Sequence, residues 1–370
     1  MLKPLKPLPL SLYIHYPWCV KKCPYCDFNS HEKSDETGYI SALLTDLQAD
    51  LKYVQGRKIS SIFIGGGTPS LLSSAELNEL FSGLQKRLDF AANIEITLET
   101  NPGSFEAEKF KAFKNIGINR LSIGVQTFND KNLQFLGRIH NAAEAEKACS
   151  QAAQIFDNFN IDLMYGLAGQ GIEACLNDIN QALDFAPSHI SFYQLTIEPN
   201  TYFAKFPPIL PKSDDIWKMG NAGVKLLEVS GFKRYEVSAF GKIASKHNLN
   251  YWQFGDYLGI GAGAHGKISQ ANGEIIRTVK AKSPKQYLQN PQRKITKIDN
   301  LAFEFMLNAL RLKSGFAPEL FALTTNLPLA SINEKLQFAK KLGLLNISDK
   351  LIQPTEKGYN FLNDLTEEFL

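Results

Sequence analysis

The sequence predicts an α/β fold with parallel strands, followed by a small domain of a different kind. Two observations carry this. Between residue 10 and about 195, six short β-branched or aromatic runs alternate with Gly-, Pro- or polar-rich loops and with stretches of helical periodicity. From about residue 300 the pattern changes to helices, a hairpin and a last helix, a winged-helix-like order. Strand-helix alternation implies right-handed crossovers between parallel strands, so the larger unit is either an open doubly wound sheet or a full or partial barrel. Either architecture puts chemistry in the loops after the C-terminal strand ends.

The predicted strands are 10–16, 61–64, 94–99, 120–125, 160–165 and 189–195. Helical stretches lie between them, among them 39–54 and 75–88. The second opens with Ser73-x-x-Glu76, a capping box that satisfies free backbone N–H groups. After residue 195 the rhythm loosens through EPNTYFAKFPPILPKSDD, whose prolines prevent a regular helix, and a helix resumes near Ile216. HNLNYWQFGDYLGIGAGAHG then joins aromatics to a glycine cluster, and the polar NPQRKITKIDN near 290–300 reads as a domain boundary. The tail predicts helices over 301–312, 317–324 and 329–341, a hairpin in GLLNISDKLIQPTEKG and a closing helix. The division is therefore 1–290 and 291–370.

Composition narrows the function classes. With 44% hydrophobic and 21% charged residues the chain is an ordinary globular one, neither disordered nor fibrous. Forty Lys+Arg against 37 Asp+Glu leave a charge of +3, too little for the broad basic footprint of a nucleic-acid binder. In the tail, eight Lys+Arg from Lys297 onward face nine Asp+Glu, which disfavours DNA binding there. No apolar run approaches the ~18 residues of a membrane span, and prolines break the start where a signal peptide would be apolar, so a cytosolic protein is expected. Three of the five cysteines fall within eight residues, a poor disulfide framework but a plausible metal-binding one in a reducing compartment.

Cys19-x3-Cys23-x2-Cys26 follows the first predicted strand, so three thiolates converge from one loop at the ligand-binding rim. Zinc would need a fourth ligand, for which Asp27, His15 and His31 are candidates. An iron-sulfur cluster with three cysteine ligands would instead leave one iron open to a small molecule. The second strand runs into Gly65-Gly66-Gly67-Thr68-Pro69, where missing Cβ atoms let backbone approach a ligand. This is not GxGxxG, and no GK[ST] follows, so dinucleotide-binding and P-loop readings both fail. An ordinary tight turn remains the alternative.

CxxxCxxC after strand one and GGGTP after strand two resemble the radical S-adenosylmethionine (SAM) superfamily. LYIHYPWCVKKCPYCDFNSH, FIGGGTPSLL, LETNPG, LSIGVQTF, LGRIH and NIDLMYGL, in this order along nearly the whole chain, resemble the oxygen-independent coproporphyrinogen III oxidase family and its heme-chaperone branch. The resemblance implies a radical SAM partial (β/α)6 barrel with a small, mainly helical, winged-helix-like C-terminal domain that packs on it. It also implies that Cys19, Cys23 and Cys26 hold a 4Fe-4S cluster whose open iron is chelated by SAM. Tyr25 would pack beside the adenine and Tyr13 would bind near the cofactor. Gly66, Gly67 and Thr68 match the loop that meets the methionine amino group. Glu99, Gln126, Arg138 and Asp162 match the polar contacts, with Arg138 the natural partner of the SAM carboxylate through its planar fork. Read singly, Glu99, Asp162 and Gln126 are also ordinary strand-end side chains.

Two departures separate this sequence from the oxidase. The oxidase pattern continues CxxxCxxCxC, whereas Phe28 stands two beyond Cys26, and only twelve residues precede Tyr13 where the oxidase has a longer segment. Both match the chaperone branch. His247, Asn248, Tyr251 and Trp252 match its HNxxYW heme-binding motif: imidazole ligates heme iron, and aromatic faces suit a flat macrocycle. A hydrogen-bonded structural corner is the competing reading. His265 is expected to line the cavity rather than to ligate iron, His15 to face either cavity or core, and His189 to begin the sixth strand; His31 and His140 are given no ligand role. Cys149 and Cys175 are expected as helical core residues.

The resemblance thus implies a heme chaperone with a 4Fe-4S cluster and SAM, whose partners are heme as cargo and acceptor proteins such as membrane respiratory enzymes. It implies no nucleic acid and no transmembrane segment, with peripheral membrane contact open. The alternative is an oxidase that decarboxylates coproporphyrinogen III.

Overall fold

The computed structural model describes residues 8–32, 37–104, 106–291 and 293–370. The proline-broken stretch 1–7, used above against a signal peptide, lies outside them. Twelve strands form one sheet: β1 (Leu10–Tyr16), β2 (Ile59–Gly66), β3 (Phe90–Thr100), β4 (Arg120–Gln126), β5 (Phe159–Tyr165), β6 (His189–Gln194), β7 (Lys233–Arg234), β8 (Ala239–Gly241), β9 (Asp256–Ile260), β10 (His265–Ser269), β11 (Ile275–Lys280) and β12 (Arg293–Lys297). Their spatial order is β12-β11-β10-β9-β1-β2-β3-β4-β5-β6-β8-β7. From β9 through β1 to β6 every neighbouring pair is parallel, and the pairs outside that run are antiparallel. The six predicted strands are all present.

Helices α1 (Tyr39–Asp50), α2 (Ser74–Gln85), α3 (Ala107–Ile116), α4 (Asp130–Phe135), α5 (Ala142–Ile155) and α6 (Ile172–Asp184) make the crossovers. The Ser73/Glu76 capping box forms as predicted, and Asn141/Glu144 makes a second one at α5. Cys149 and Cys175 are buried on α5 and α6, where burial raises both thiols to about 12. One core runs continuously between the sheet and these helices.

What the strand count missed is β9, which follows the helix Lys246–Trp252 and pairs with β1 as a seventh parallel strand. Gly259 within it and the glycines flanking it hid it. Gly259 packs so closely on the β10 backbone that a Cβ would come 1.8 Å from the His265 carbonyl oxygen. Just past the expected boundary at 290/291, β12 pairs along its length with β11. Alternating Lys, Thr and Ile of an edge strand read as a polar linker because half of an edge strand faces solvent.

The C-terminal domain has the predicted order: helices Leu301–Ala309, Pro318–Thr325 and Asn333–Lys341, a hairpin of Leu345–Ile347 with Ile352–Pro354, then Glu356–Asn360 and Leu362–Glu367. Its separate core takes in Phe254 from the barrel side, edge-on to Phe305 at 5.7 Å. Among the described residues no helix is long and apolar enough to cross a membrane.

Candidate functional site

Side chains of a strand alternate between faces, so residues two apart on the parallel strands share the lumen. Here that alternation is polar. Glu99 on β3, Ser122 and Gln126 on β4, Asn160 and Asp162 on β5 and Ser191 on β6 line one cavity of about 510 Å³.

The Cys loop covers the top of the cavity. Trp18–Cys19 pairs with His31–Glu32, the buried Trp18 anchors its base, and Cys19, Cys23 and Cys26 all face the cavity. Burial raises the thiols of Cys19 and Cys26 above their usual range, with neighbouring thiols adding to it. The glycine loop is zipped to this one: Gly67 N–H donates to the Tyr16 carbonyl (2.7 Å) and Thr68 N–H to the Trp18 carbonyl (2.8 Å). A Cβ on Gly67 would sit 2.4 Å from that Trp18 oxygen, and Gly66 has φ +113°, so both positions need glycine.

The matched polar residues meet around the same space. Glu99 Oε2 accepts from Gly66 N–H at 3.0 Å, and burial, aided by Asp162, pushes its carboxyl up to about 7. Burial also raises Asp162, whose Oδ1 accepts from Asn160 at 2.7 Å and Oδ2 from Ser122 at 3.3 Å. Gln126 holds φ 73°, in the left-handed region a side chain rarely adopts, and accepts from Tyr193 OH at 2.6 Å. Arg138 donates through Nη2 to the Gly124 carbonyl (2.6 Å) and through Nη1 toward Cys23 Sγ (3.7 Å), while its buried Nε has no partner. Tyr25 and Thr68 face the cavity as well. Tyr13 stands behind the wall: its ring stacks on Phe63, which lines the cavity, and its hydroxyl lies 2.8 Å from His15 Nδ1.

The donor set, three cysteine thiols facing one cavity, fits an iron-sulfur cluster with an open iron. His15 has both ring nitrogens engaged, by Tyr13 and by the Asn29 carbonyl, and so does not supply the fourth tetrahedral ligand.

At the opposite end, the helix Lys246–Trp252 plugs the barrel floor. The Glu95 carboxylate, at the β3 entry, accepts from Lys246 N–H, His247 N–H and Ser245 Oγ at 3.1–3.2 Å, a charge matched to a helix N-terminus. His247 is 1% exposed, with Nδ1 2.9 Å from Ser61 Oγ and Nε2 3.0 Å from Tyr251 OH. Burial, with the nearby Arg120 charge, pushes its imidazole down to about 3. Of the heme-motif residues only Asn248 lines the large cavity. Tyr251 and Trp252 line a second one of about 140 Å³, where Arg311 of the C-terminal domain lies 4.3 Å over the indole. His265 is exposed at the start of β10 and does not line the large cavity, contrary to expectation. His15 and His140 are buried hydrogen-bonded residues, and His189 begins β6 as predicted.

The radical SAM superfamily profile matches residues 13–182 and the HemN C-terminal domain profile matches 298–361. The heme chaperone HemW of Haemophilus influenzae is 50% identical over 376 residues, covering 98% of each chain, and that of Escherichia coli is 46% identical over 372 residues with the same coverage. The chain belongs to the HemW family. The fold agrees with a solved relative of HemW, the coproporphyrinogen III oxidase HemN of Escherichia coli, at a TM-score of 0.83 and 24% identity over 98% of this chain and 90% of that one. The Bacillus subtilis HemW is 32% identical over 97% of this chain.

Residues outside the motif matches also line the cavity, among them Arg120, Ser122, Asn160, Ser191 and Tyr193. A signal for them was present. In RLSIGVQ and FNIDLM every second residue is polar, charged, Gly or Met while the others are apolar, the mark of strands with one face on a polar lumen.

Proposed function

We propose that this chain carries a 4Fe-4S cluster on Cys19, Cys23 and Cys26, binds SAM beside it, and acts as a heme chaperone that passes heme to acceptor proteins, membrane respiratory enzymes among them. One observation carries the cofactor reading: the three thiols and every residue matched to SAM except Tyr13 line a single cavity. A cluster held by three cysteines would offer its fourth iron to the amino and carboxylate groups of SAM. Around that position the chain supplies complementary charge. Arg138 presents a guanidinium for a carboxylate, Glu99 and Asp162 present acids for an ammonium or ribose hydroxyls, and Gly66 and Gly67 put loop backbone in the same wall.

The cargo reading is supported by full-length identity of 46–50% to relatives named heme chaperones, and by Phe28 at the position of the oxidase's fourth cysteine. For heme contact we propose the segment His247, Asn248, Tyr251 and Trp252. Ligation of heme iron by His247 requires its hydrogen bonds to Ser61 and Tyr251 to open. An anaerobic heme titration of the cluster-reconstituted protein, followed by absorbance, tests the reading. Saturation near one heme per chain, with no decarboxylation of coproporphyrinogen III by the same preparation, is expected. Absence of saturable heme binding, or turnover of that substrate, overturns it.

A further inference from the structure

The lumen holds a charge that the cofactor assignment does not use. Arg120 opens β4 and points inward, two residues below Ser122 on the lumen face, and its side chain lines the large cavity while the residue is only 3% exposed. Its guanidinium has five donors. The hydrogen bond made by that group is a long one, Nη1 to Thr97 Oγ1 at 3.5 Å, and among the described residues no carboxylate forms an ion pair with it. Asp162, an acid in its field, is hydrogen-bonded to Asn160 and Ser122 instead. The surrounding bases are neutral: His189 shares Nδ1 with Asn160 (2.6 Å) and Nε2 with Tyr235 OH (2.8 Å), and His247 is engaged as described. A buried guanidinium with no carboxylate in direct contact is unfavourable unless an anion completes it, and its planar fork matches a carboxylate. Asn248, the one cavity-lining residue of the floor helix, is part of the same wall.

We infer that Arg120 is the anchor of a second ligand subsite at the floor of the lumen, which takes an organic carboxylate, with Ser122, Asn160 and Ser191 as polar neighbours. The inference deepens the heme reading only in that a tetrapyrrole propionate is one source of the carboxylate; a small free carboxylic acid is the other. Such a ligand would lie beside the His247–Trp252 helix.

The test uses the full chain, wild type against Arg120→Gln and Arg120→Lys, with three probes: mesoporphyrin IX, its dimethyl ester and free propionate. Porphyrin binding is followed by fluorescence quenching and propionate by calorimetry. The expected result is that wild type binds the diacid at least tenfold more tightly than the diester, that Arg120→Gln brings the two within twofold, and that Arg120→Lys recovers part of the preference. Equal binding of the porphyrins together with propionate binding that is lost in Arg120→Gln supports the subsite and assigns it to a small acid. Affinities for diacid and propionate that do not depend on Arg120 overturn it. Should Arg120→Gln fail to fold, Arg120→Lys and the wild-type ratio of diacid to diester decide. Failure of heme itself to bind would remove the chaperone reading and leave the propionate arm readable.

Discussion

His247 Nδ1 lies 2.9 Å from Ser61 Oγ, and this contact seats the floor helix on β2 across 186 positions of chain. The ring also packs on Phe63 at 5.2 Å and meets the edge of Tyr251 at 4.7 Å. His247→Ala is expected to lose about 2–4 kcal/mol from the cavity and the broken hydrogen bonds, measured by denaturant unfolding. The pH dependence is specific. A folded pKa of about 3 against 6.5 keeps the imidazole neutral in the folded protein, so its contribution is present above pH 6.5 and is lost as pH falls from 6.5 toward 3. His247→Phe should flatten that part of the stability curve; an unchanged slope would mean that the ring is accessible to protons.

Glu99 has the opposite sign. Its carboxyl, pushed from 4.5 to about 7, keeps its proton in the folded state while the unfolded chain loses it, so stability falls as pH rises from 4.5 through 7. The loss is about 2 kcal/mol once solvent in the cavity is allowed for. Glu99→Gln should remove this slope and stabilise the ligand-free protein at pH 8. A ligand ammonium beside Glu99 favours the carboxylate, so SAM should bind about tenfold more weakly at pH 6 than at pH 8, with proton release seen by calorimetry in buffers of different ionisation enthalpy.

Gly67→Ala forces a Cβ within 2.4 Å of the Trp18 carbonyl, a backbone atom that cannot rotate away. The Gly67 and Thr68 hydrogen bonds that tie the glycine loop to the Cys loop should be strained together. A cost of about 1–3 kcal/mol in thermal unfolding is expected, with SAM affinity reduced by more than tenfold in equilibrium dialysis. Gly171→Ala, where an added Cβ meets nothing within 4 Å, is the matched control and should leave binding unchanged.

Arg311 lies over the Trp252 ring at 4.3 Å and donates to the buried Glu236 at 3.0 Å, joining the C-terminal domain to the barrel floor. Arg311→Ala leaves the Glu236 carboxylate unpaired and should loosen the docking by about 1–3 kcal/mol. Hydrogen exchange should speed up in 246–260 and 301–312 while β1–β6 stay protected. Uniform loosening of the whole chain would contradict a local role.

The local parts of the site were legible. Three cysteines in one loop, three glycines at the end of the next strand and polar residues on β3, β4 and β5 are properties of short segments, and short segments declare their strands, turns and caps. The stacking of Tyr13 on Phe63, which lines the cavity, is a contact between β1 and β2 that neither strand declares alone. β9 was missed because Gly259 within it and the glycines flanking it dilute the β-branched signal, and the close approach to β10 at Gly259 leaves no room for a side chain.

The sequence by itself determined the parallel α/β architecture, the winged-helix-like tail, the Cys and glycine loops and the family. Only the tertiary structure decided which side chains share the lumen. Lumen membership depends on register across crossovers, and a slip of one residue turns a strand's whole inward set outward. Thus Arg120 meets the cavity because β4 pairs Arg120 with Thr97 and β5 pairs Asn160 with Ser122. His247 is closed off because Ser61, distant in sequence, satisfies it. Such pairings arise when separate segments pack, so no window of the chain contains them.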